Sequence, residues 1–196
     1  MRGVRIAGTA ILVLGLALVG QAALQDGGAD EMQKKWMEYM LPGKVHQEMA
    51  GMVGKWKIES EFWMDPALPP EKGTSTSTIE STLGGRYFIE RMQGMMMGMP
   101  TEGMGVSGYD NARKIYHATW FDTWGTGVTQ MDGTRKGDTI TYAGNTTDAA
   151  QGGSVPMRMV MKTIDDDHFT LEMFMKGPDG QEFRNMKLSY ARETAQ

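Results

Sequence analysis

The amino-acid sequence predicts a mainly β protein: an antiparallel up-and-down β-barrel of nine or ten strands, preceded by a short N-terminal helix. Apolar and polar residues alternate in many short segments, which is the period of a half-buried strand. Gly, Pro, Asn and Asp separate these segments at regular spacing, as expected for tight turns. Closure into a barrel removes the exposed edges of such a sheet. A sandwich of two sheets is the alternative architecture.

The first 23 residues have the layout of a secretory signal peptide. Arg2 and Arg5 precede an uncharged apolar run at residues 6–19, and residues 20–22 offer small side chains for cleavage. The run is shorter than the ~20 apolar residues of a spanning helix, although an uncleaved anchor is the alternative. We therefore expect a periplasmic or secreted protein with no stable membrane association after signal cleavage.

The composition of the exported part limits its partners. Residues 24–196 carry 18 Lys and Arg against 24 Asp and Glu, a net charge of −6. Without a basic cluster, binding to nucleic acid is disfavoured. The chain has no cysteine, so its stability has to come from the core rather than from disulfides.

The chain divides into a leader, a connecting segment and one domain. Residues 24–45 are predicted to form a linker and a short helix capped by Asp30, and Pro42-Gly43 would end that helix. Residues 46–196 are predicted to form the barrel domain.

Period-two alternation locates the strands, and glycine-rich segments locate the loops. Two longer loops are predicted at residues 94–103 and 145–153. The predicted strands cover residues 55–64, 74–83, 86–93, 106–109, 114–122, 126–131, 138–143, 157–162, 171–176 and 185–191.

A series of landmarks resembles, in its order, the bacterial domain-of-unknown-function 1579 family. The landmarks are His46, Gly54-Lys55-Trp56, the segment LGGRYFIE at residues 83–90, the segment GYDNARKIYHATWFD at residues 108–122, and Arg192. The resemblance covers most of the chain between His46 and Arg192. It implies a lipocalin-like (calycin-type) barrel, and because the family is uncharacterised it implies almost no chemistry.

The segment Gly54-Lys55-Trp56 is also similar to the Gly-x-Trp signature that opens the first strand of lipocalins. In lipocalins this tryptophan lies at the closed end of the barrel and packs under an arginine of the last strand. Arg192 shares the alternation of Leu188 and Tyr190, and antiparallel pairing of the first and last strands would bring it beside Trp56. We therefore predict Trp56 and Arg192 as a cation–π plug; a solvated terminal arginine is the alternative.

Methionine is unusually common, and two hypotheses account for it. After residue 23 the chain has nineteen Met and six Leu, so the first hypothesis is that methionine replaces leucine in the core, where the two residues exchange at low cost. Alternatively, a dense stretch forms a Cu(I) site, because thioether sulfur is a soft ligand. The candidate ligands are Met92, Met95, Met96, Met97 and Met99.

The leading functional hypothesis is an exported barrel that binds a small apolar or amphipathic molecule in its interior. Ser60, Arg91 and His117 are candidate polar anchors, and His117 would be the axial ligand if the molecule were haem. The predicted lining comprises Trp56, Phe62, Met64, His117, Met157, Met159, Met161, Met173, Met175 and Tyr190.

The sequence contains no motif that identifies an enzyme. It lacks Gly-x-Ser-x-Gly, cysteine and a glycine-rich phosphate loop. The spacing of His46, His117 and His168 matches no metal-ligand motif. An enzyme built in the barrel cavity would require a strongly perturbed acid or base inside it. The sequence leaves enzymatic activity open and favours binding.

Overall fold

The computed structural model describes residues 26–149, 152–177 and 179–194. The predicted signal peptide, residues 1–23, lies outside these ranges. None of the described helices is long and apolar enough to cross a membrane. Contacts divide the chain into one unit up to Lys35 and a second from Trp36 onward, and the second unit contains the barrel.

Two helices precede ten strands. The helices are α1 (Asp26–Met40) and α2 (Lys44–Ala50). The strands are β1 (Gly54–Phe62), β2 (Glu71–Thr82), β3 (Tyr87–Met96), β4 (Met99–Asp110), β5 (Ile115–Asp122), β6 (Thr129–Lys136), β7 (Thr139–Asp148), β8 (Gly153–Thr163), β9 (His168–Lys176) and β10 (Glu182–Arg192).

The strands form one closed antiparallel barrel in which each strand pairs with its neighbours in the chain. The sheet closes by pairing β1 with β10, in a register that places Trp56 opposite Arg192 and Ile58 opposite Tyr190. The predicted up-and-down barrel of nine or ten strands is confirmed, and closure excludes the alternative sandwich.

The hydrophobic core occupies the barrel interior and follows the predicted alternation. Met157, Met159 and Met161 of β8 are all buried, while the intervening Arg158 and Val160 lie on the outer face. Methionine therefore occupies inward positions where leucine is usual, which supports its predicted role as a core residue.

The predicted loop at residues 94–103 is instead a tight hairpin between β3 and β4. The strands continue to Met96 and restart at Met99, so only Met97 and Gly98 form the turn. Their φ angles are 51° and 70°, the left-handed values of a two-residue turn that matches the twist of the strands. The glycines of this segment had suggested a long loop, but strand pairing absorbs most of them.

Two further boundaries differ from the predictions. Helix α1 begins at Asp26 rather than after Asp30, and the second helical turn that the sequence predicts at residues 46–53 lies at Lys44–Ala50, as α2. The predicted loop at residues 145–153 is shorter, because β7 runs to Asp148 and β8 begins at Gly153.

Helix α2 and the ends of β1 and β10 close one end of the barrel. Trp56 is 2% exposed, and its indole Nε1 donates a hydrogen bond to the Met52 carbonyl at 2.9 Å. The guanidinium carbon of Arg192 lies 4.2 Å from the centroid of the Trp56 ring. The structure thus brings together the two residues that the sequence proposed as a plug.

Arg192 also bonds the backbone that leads into β1. Its Nη1 donates to the Val53 carbonyl at 2.9 Å and its Nη2 to the Gly51 carbonyl at 2.7 Å. The Nε atom donates to Asp167 Oδ1 at 3.0 Å. One planar guanidinium therefore connects α2, the β8–β9 turn and the last strand, which suits its fixed fork of donors.

Replacing Arg192 by Ala should lower the free energy of unfolding by about 1–3 kcal/mol, because the Gly51 and Val53 carbonyls lose their donor and Trp56 loses its cover. Arg192→Lys should recover less than half of this, since one ammonium cannot reach all the acceptors. Urea denaturation measures both variants. The matched control is Arg184→Ala, which removes a more exposed arginine over Trp63 and should cost below about 1 kcal/mol. Equal effects at the two positions would contradict a plug role.

Candidate functional site

Eight of the ten predicted lining residues face the barrel interior. The inward direction follows from their register opposite buried neighbours, such as Met159 opposite Tyr142 and Leu188 opposite Ser60. The inward residues of the predicted set are Trp56, Phe62, Met157, Met159, Met161, Met173, Met175 and Tyr190.

Met64 and His117 were wrongly assigned to the interior. Met64 is 71% exposed because β1 ends at Phe62 and the chain leaves the sheet before the alternation reaches it. His117 lies on the outer face, since its neighbours on β5, Tyr116 and Ala118, face the core. An axial haem ligand inside the barrel therefore cannot come from His117.

The two other suggested anchors also differ in position. Ser60 is buried and faces inward, between Ile58 and Phe62. Arg91 lies on the exposed outer face, where its Nη1 contacts the sulfur of Met104 at 3.3 Å. Of these two, only Ser60 can contact a molecule inside the barrel.

Burial of the inward residues changes along the barrel axis. The half next to α2, here called the closed half, is filled by buried side chains: Trp56, Phe88, Tyr116, Tyr142, Phe169 and Tyr190. Toward the opposite, open half, Thr101 of β4 is buried, but several inward residues are only half-buried: Phe62, Trp120, Val155, Met173, Met175 and Met186. The closed half is not completely filled, because a cavity of about 150 Å³ remains there, lined by Met49, Trp56, Tyr116, Ile140, Met161 and Phe169, among others.

Trp120 lies across the inner face of β4 in the open half. A side chain on Gly103 or Gly105 would collide with its ring, so the two glycines leave the room it occupies. The indole Nε1 donates to Asp122 Oδ2 at 3.0 Å, which fixes the ring orientation. Trp120 thus provides a rigid aromatic wall beside the half-buried methionines.

The methionine hairpin lies at the rim of the open half. Met92 is buried and Met96 shares its inward face, whereas Met95 is exposed on the outer face. Met97 forms the turn and Met99 is exposed. Strand alternation therefore distributes the five thioethers over two faces and does not gather them on one side.

Glu90 is a site residue that the sequence analysis missed. It lies on β3 between buried Phe88 and Met92 and shares their inward face. The Tyr190 hydroxyl donates a hydrogen bond to Glu90 Oε1 at 3.2 Å. Tyr190 in turn stacks on Phe169, with ring centroids 4.1 Å apart. The sequence did contain an indication of this site, because Glu90 is an acidic residue at an alternate position between apolar Phe88 and Met92.

The interior changes the proton affinity of this carboxyl. Burial among apolar side chains raises the pKa of Glu90 above its ordinary value, while the hydroxyls of Ser77 and Tyr190 oppose that rise. Burial also raises the pKa of the Tyr190 phenol, and the neighbouring Glu90 adds to that effect. The pair offers one acid and one hydroxyl for hydrogen bonding or proton exchange inside the barrel.

A second concave site lies outside the barrel, beside the closed end. It has a volume of about 340 Å³ and is lined by Tyr39, His46, Arg86, Tyr87, Tyr109, Asp110, Asn111 and His117, among others. Arg86 donates to the Met40 carbonyl at 3.0 Å and Asn111 to the Leu41 carbonyl at 2.8 Å. These hydrogen bonds hold the segment after α1 in place, and the two polar side chains use donors for that purpose.

His46 is held neutral by its hydrogen bonds. The Gly43 amide donates to His46 Nδ1 at 3.2 Å, which requires that nitrogen to be unprotonated. Burial lowers the pKa of His46, and the Tyr109 carbonyl opposes this shift only in part. Burial likewise lowers the pKa of His117, against the opposing charges of Asp132 and Asp110. Both rings are structural in this arrangement.

Within the described residues, no three His, Cys, Asp or Glu side chains gather as metal ligands. The chemistry available in the interior is therefore that of apolar contact plus the polar group formed by Glu90, Tyr190 and Ser77. This arrangement suits binding of a molecule with one polar end.

Comparisons with known proteins support the fold and name no ligand. A family model described as "Protein of unknown function (DUF1579)" matches residues 41–192. The crystal structure of Rv2717c from M. tuberculosis is similar, with a TM-score of 0.56 and 14% identity over 78% of this chain and 99% of that chain. A redesigned beta barrel matches with a TM-score of 0.41 and 10% identity over 74% of this chain and 94% of that one. No curated protein matches this chain.

Replacing Glu90 by Gln should stabilise the protein at neutral and alkaline pH. The folded-state pKa of Glu90 lies above the ordinary value of 4.5, so its contribution is intact below about pH 4.5 and is lost as the pH rises through the folded-state pKa. Gln keeps the shape and cannot ionise. Urea denaturation at pH 4.5 and pH 8 should show a gain that grows with pH. Glu59→Gln, on the exposed outer face of β1, is the control, and an equal gain there would contradict the assignment.

The neutral histidines should make the protein less stable in mild acid. Because the folded-state pKa of His46 and His117 lies below 6.5, their contribution is complete above about pH 6.5 and is lost as the pH falls through the folded-state values. His46→Asn retains an acceptor for Gly43 and cannot protonate, so it should reduce this pH dependence. Adding His117→Asn should remove more of it. An unchanged slope in the double variant would contradict this explanation.

Proposed function

This chain belongs to the family described as "Protein of unknown function (DUF1579)", and from the geometry of its barrel we propose that it binds one small apolar or amphipathic molecule in the barrel interior. The observation that carries this proposal is the difference between the two halves of the barrel. One half is closed by buried aromatic rings and α2, and the other has an inward lining that is only half-buried.

A barrel filled along its whole length and a barrel with an unfilled half differ in how deeply their inward side chains are buried. A barrel filled along its whole length would bury every inward side chain, as dense packing favours. Here Met173, Met175 and Met186 pack against the core yet retain accessible surface on the inner face. Transfer of such apolar surface from water to a bound apolar molecule is favourable, at about 25 cal/mol per Å².

Methionine suits this lining because its side chain is unbranched and polarizable. Such side chains rearrange at low cost and accept ligands of varied shape. Trp120 adds a fixed aromatic wall, and Glu90 with Tyr190 supplies the polar end of the site. We infer that the ligand is amphipathic and lies with its apolar part toward the open half.

The proposed location of this activity is outside the cytoplasm. The basic and apolar pattern of residues 1–23 supports export by a cleaved signal peptide to the periplasm or medium. A closed barrel carries an apolar molecule through water by covering it, which is a use that suits an exported protein.

The proposal is tested by filling the interior. Met173→Trp places a large ring into the open half, whereas Phe174→Trp makes the same change at the adjacent outward position. Titration with N-phenyl-1-naphthylamine, an uncharged fluorescent probe, should show saturable binding to the wild type. We expect Met173→Trp to weaken binding on the order of tenfold or more, a loss equivalent to at least about 1.4 kcal/mol.

Phe174→Trp is expected to bind the probe as the wild type does. Circular dichroism and urea denaturation should show that both variants remain folded. Failure of the wild type to bind the probe, or equal binding by a folded Met173→Trp variant, would refute an interior ligand site.

A further inference from the structure

The carboxyl of Glu90 lies deep in the barrel without a cationic partner. Within the described part of the chain, every ion pair involves other acids, and Glu90 accepts one hydrogen bond, from the Tyr190 hydroxyl at 3.2 Å. An ionised carboxylate in an apolar site is costly unless a positive charge or several donors satisfy it. A ligand that carries a positive charge would supply such a partner for Glu90.

Ser77 is the polar residue beside this carboxyl, and its hydroxyl favours the ionised form of Glu90. It is 4% exposed on the inner face of β2, and among the described protein atoms its Oγ has no hydrogen-bond partner apart from Glu90. Ser77 stands opposite Met92, and Glu90 stands opposite the next inward residue, Ile79, so the hydroxyl and carboxyl lie on adjacent strands. Buried hydroxyls of folded proteins nearly always have partners.

The charges of the inner face favour a cation. Glu90, Asp122 and Asp148 all lie on inward alternation positions of their strands. Among the described strand residues, the inward arginines are Arg135 and Arg192, and both lie at the closed end. Their partners are Glu48, and Asp167 at 3.0 Å. Among the described residues of the open half none is an inward lysine or arginine, so the charges there favour a cation over an anion.

Half-buried Glu90 is also reachable. Its neighbours Phe88 and Met92 are buried, yet Glu90 itself keeps accessible surface. The half-buried methionines lie between this acid and the open rim, so an apolar surface lies next to an acidic side chain.

We propose that the ligand of this barrel is an amphipathic amine, whose ammonium group is bound by the Glu90 carboxylate and the Ser77 hydroxyl while its apolar part lies against the methionines of the open half. This inference rests on the proposed function, because it specifies the chemistry of the molecule in the same interior. The ammonium supplies three donors and one positive charge. Charge-assisted hydrogen bonds of this kind are the stronger class.

The proposal has a defined pH dependence. Burial raises the pKa of Glu90, so a higher pH favours the ionised carboxylate that would bind the ammonium. Affinity for an amine should therefore increase as the pH rises and Glu90 ionises, as long as the amine itself stays protonated. A ligand bound through a neutral carboxyl would show the opposite trend.

Three probes with one apolar chain and different head groups test the inference: decylammonium, 1-decanol and decanoate. Each displaces N-phenyl-1-naphthylamine from the wild type at pH 6 and pH 8. Decylammonium is expected to bind on the order of tenfold or more tightly than 1-decanol, with a larger ratio at pH 8. Glu90→Gln should bring decylammonium to the affinity of 1-decanol while leaving 1-decanol unchanged. Glu59→Gln, which changes an exposed outer carboxyl, should leave all three affinities as they are.

The outcomes separate the two proposals. If neither the naphthylamine probe nor any decyl compound binds, the interior site itself is refuted. If the probe binds but decylammonium shows no advantage over 1-decanol or decanoate, the amine is refuted and the ligand site stands. Retention of that advantage by folded Glu90→Gln also overturns the role of Glu90. Ser77→Ala provides a second test: its affinity for decylammonium should be severalfold lower, and its affinities for 1-decanol and decanoate should be unchanged.

Discussion

Closure of the sheet between β1 and β10 is the constraint on which the rest of the structure depends. This pairing places Arg192 over Trp56. It also directs Tyr190, two residues earlier in β10, toward the interior. Because every strand is paired on both sides, the backbone leaves no sheet edge and the inner face becomes a single enclosed surface. The guanidinium, the aromatic rings and α2 then cover one end, where a cavity of about 150 Å³ remains, and the half-buried inward side chains lie toward the other end.

The methionine content connects packing with function. In the closed half, aromatic rings fill the space in fixed orientations, and in the open half Met173, Met175 and Met186 line it with adaptable side chains. A core of aromatic and branched residues specifies one packing, whereas unbranched thioethers tolerate several. The same substitution of methionine for leucine that costs little in stability therefore gives the barrel a lining able to fit varied apolar molecules.

Glu90 shows how stability and binding oppose each other in this interior. Its burial disfavours the ionised form, and Tyr190 compensates only in part. Proteins retain such costly groups mainly at functional positions, where a ligand supplies the missing partner. The acid, the buried Ser77 hydroxyl beside it and the absence of an inward cation in the described open half are three aspects of one arrangement. The closed end balances its own charges, since Arg192 pairs with Asp167.

The sequence by itself determined the architecture and most of the inner face. Period-two alternation and regular turns are local properties of the sequence, and they predicted the barrel. The same alternation assigned the methionines of β8 and β9 to the inner face and placed Arg192 beside Trp56. Only the tertiary structure decided where each strand ends and which face of β5 lies inside, because closure and register are long-range properties. That is why His117 was assigned to the wrong face, why the methionine hairpin had been read as a loop, and why the buried carboxyl of Glu90 became visible only when ten strands enclosed it.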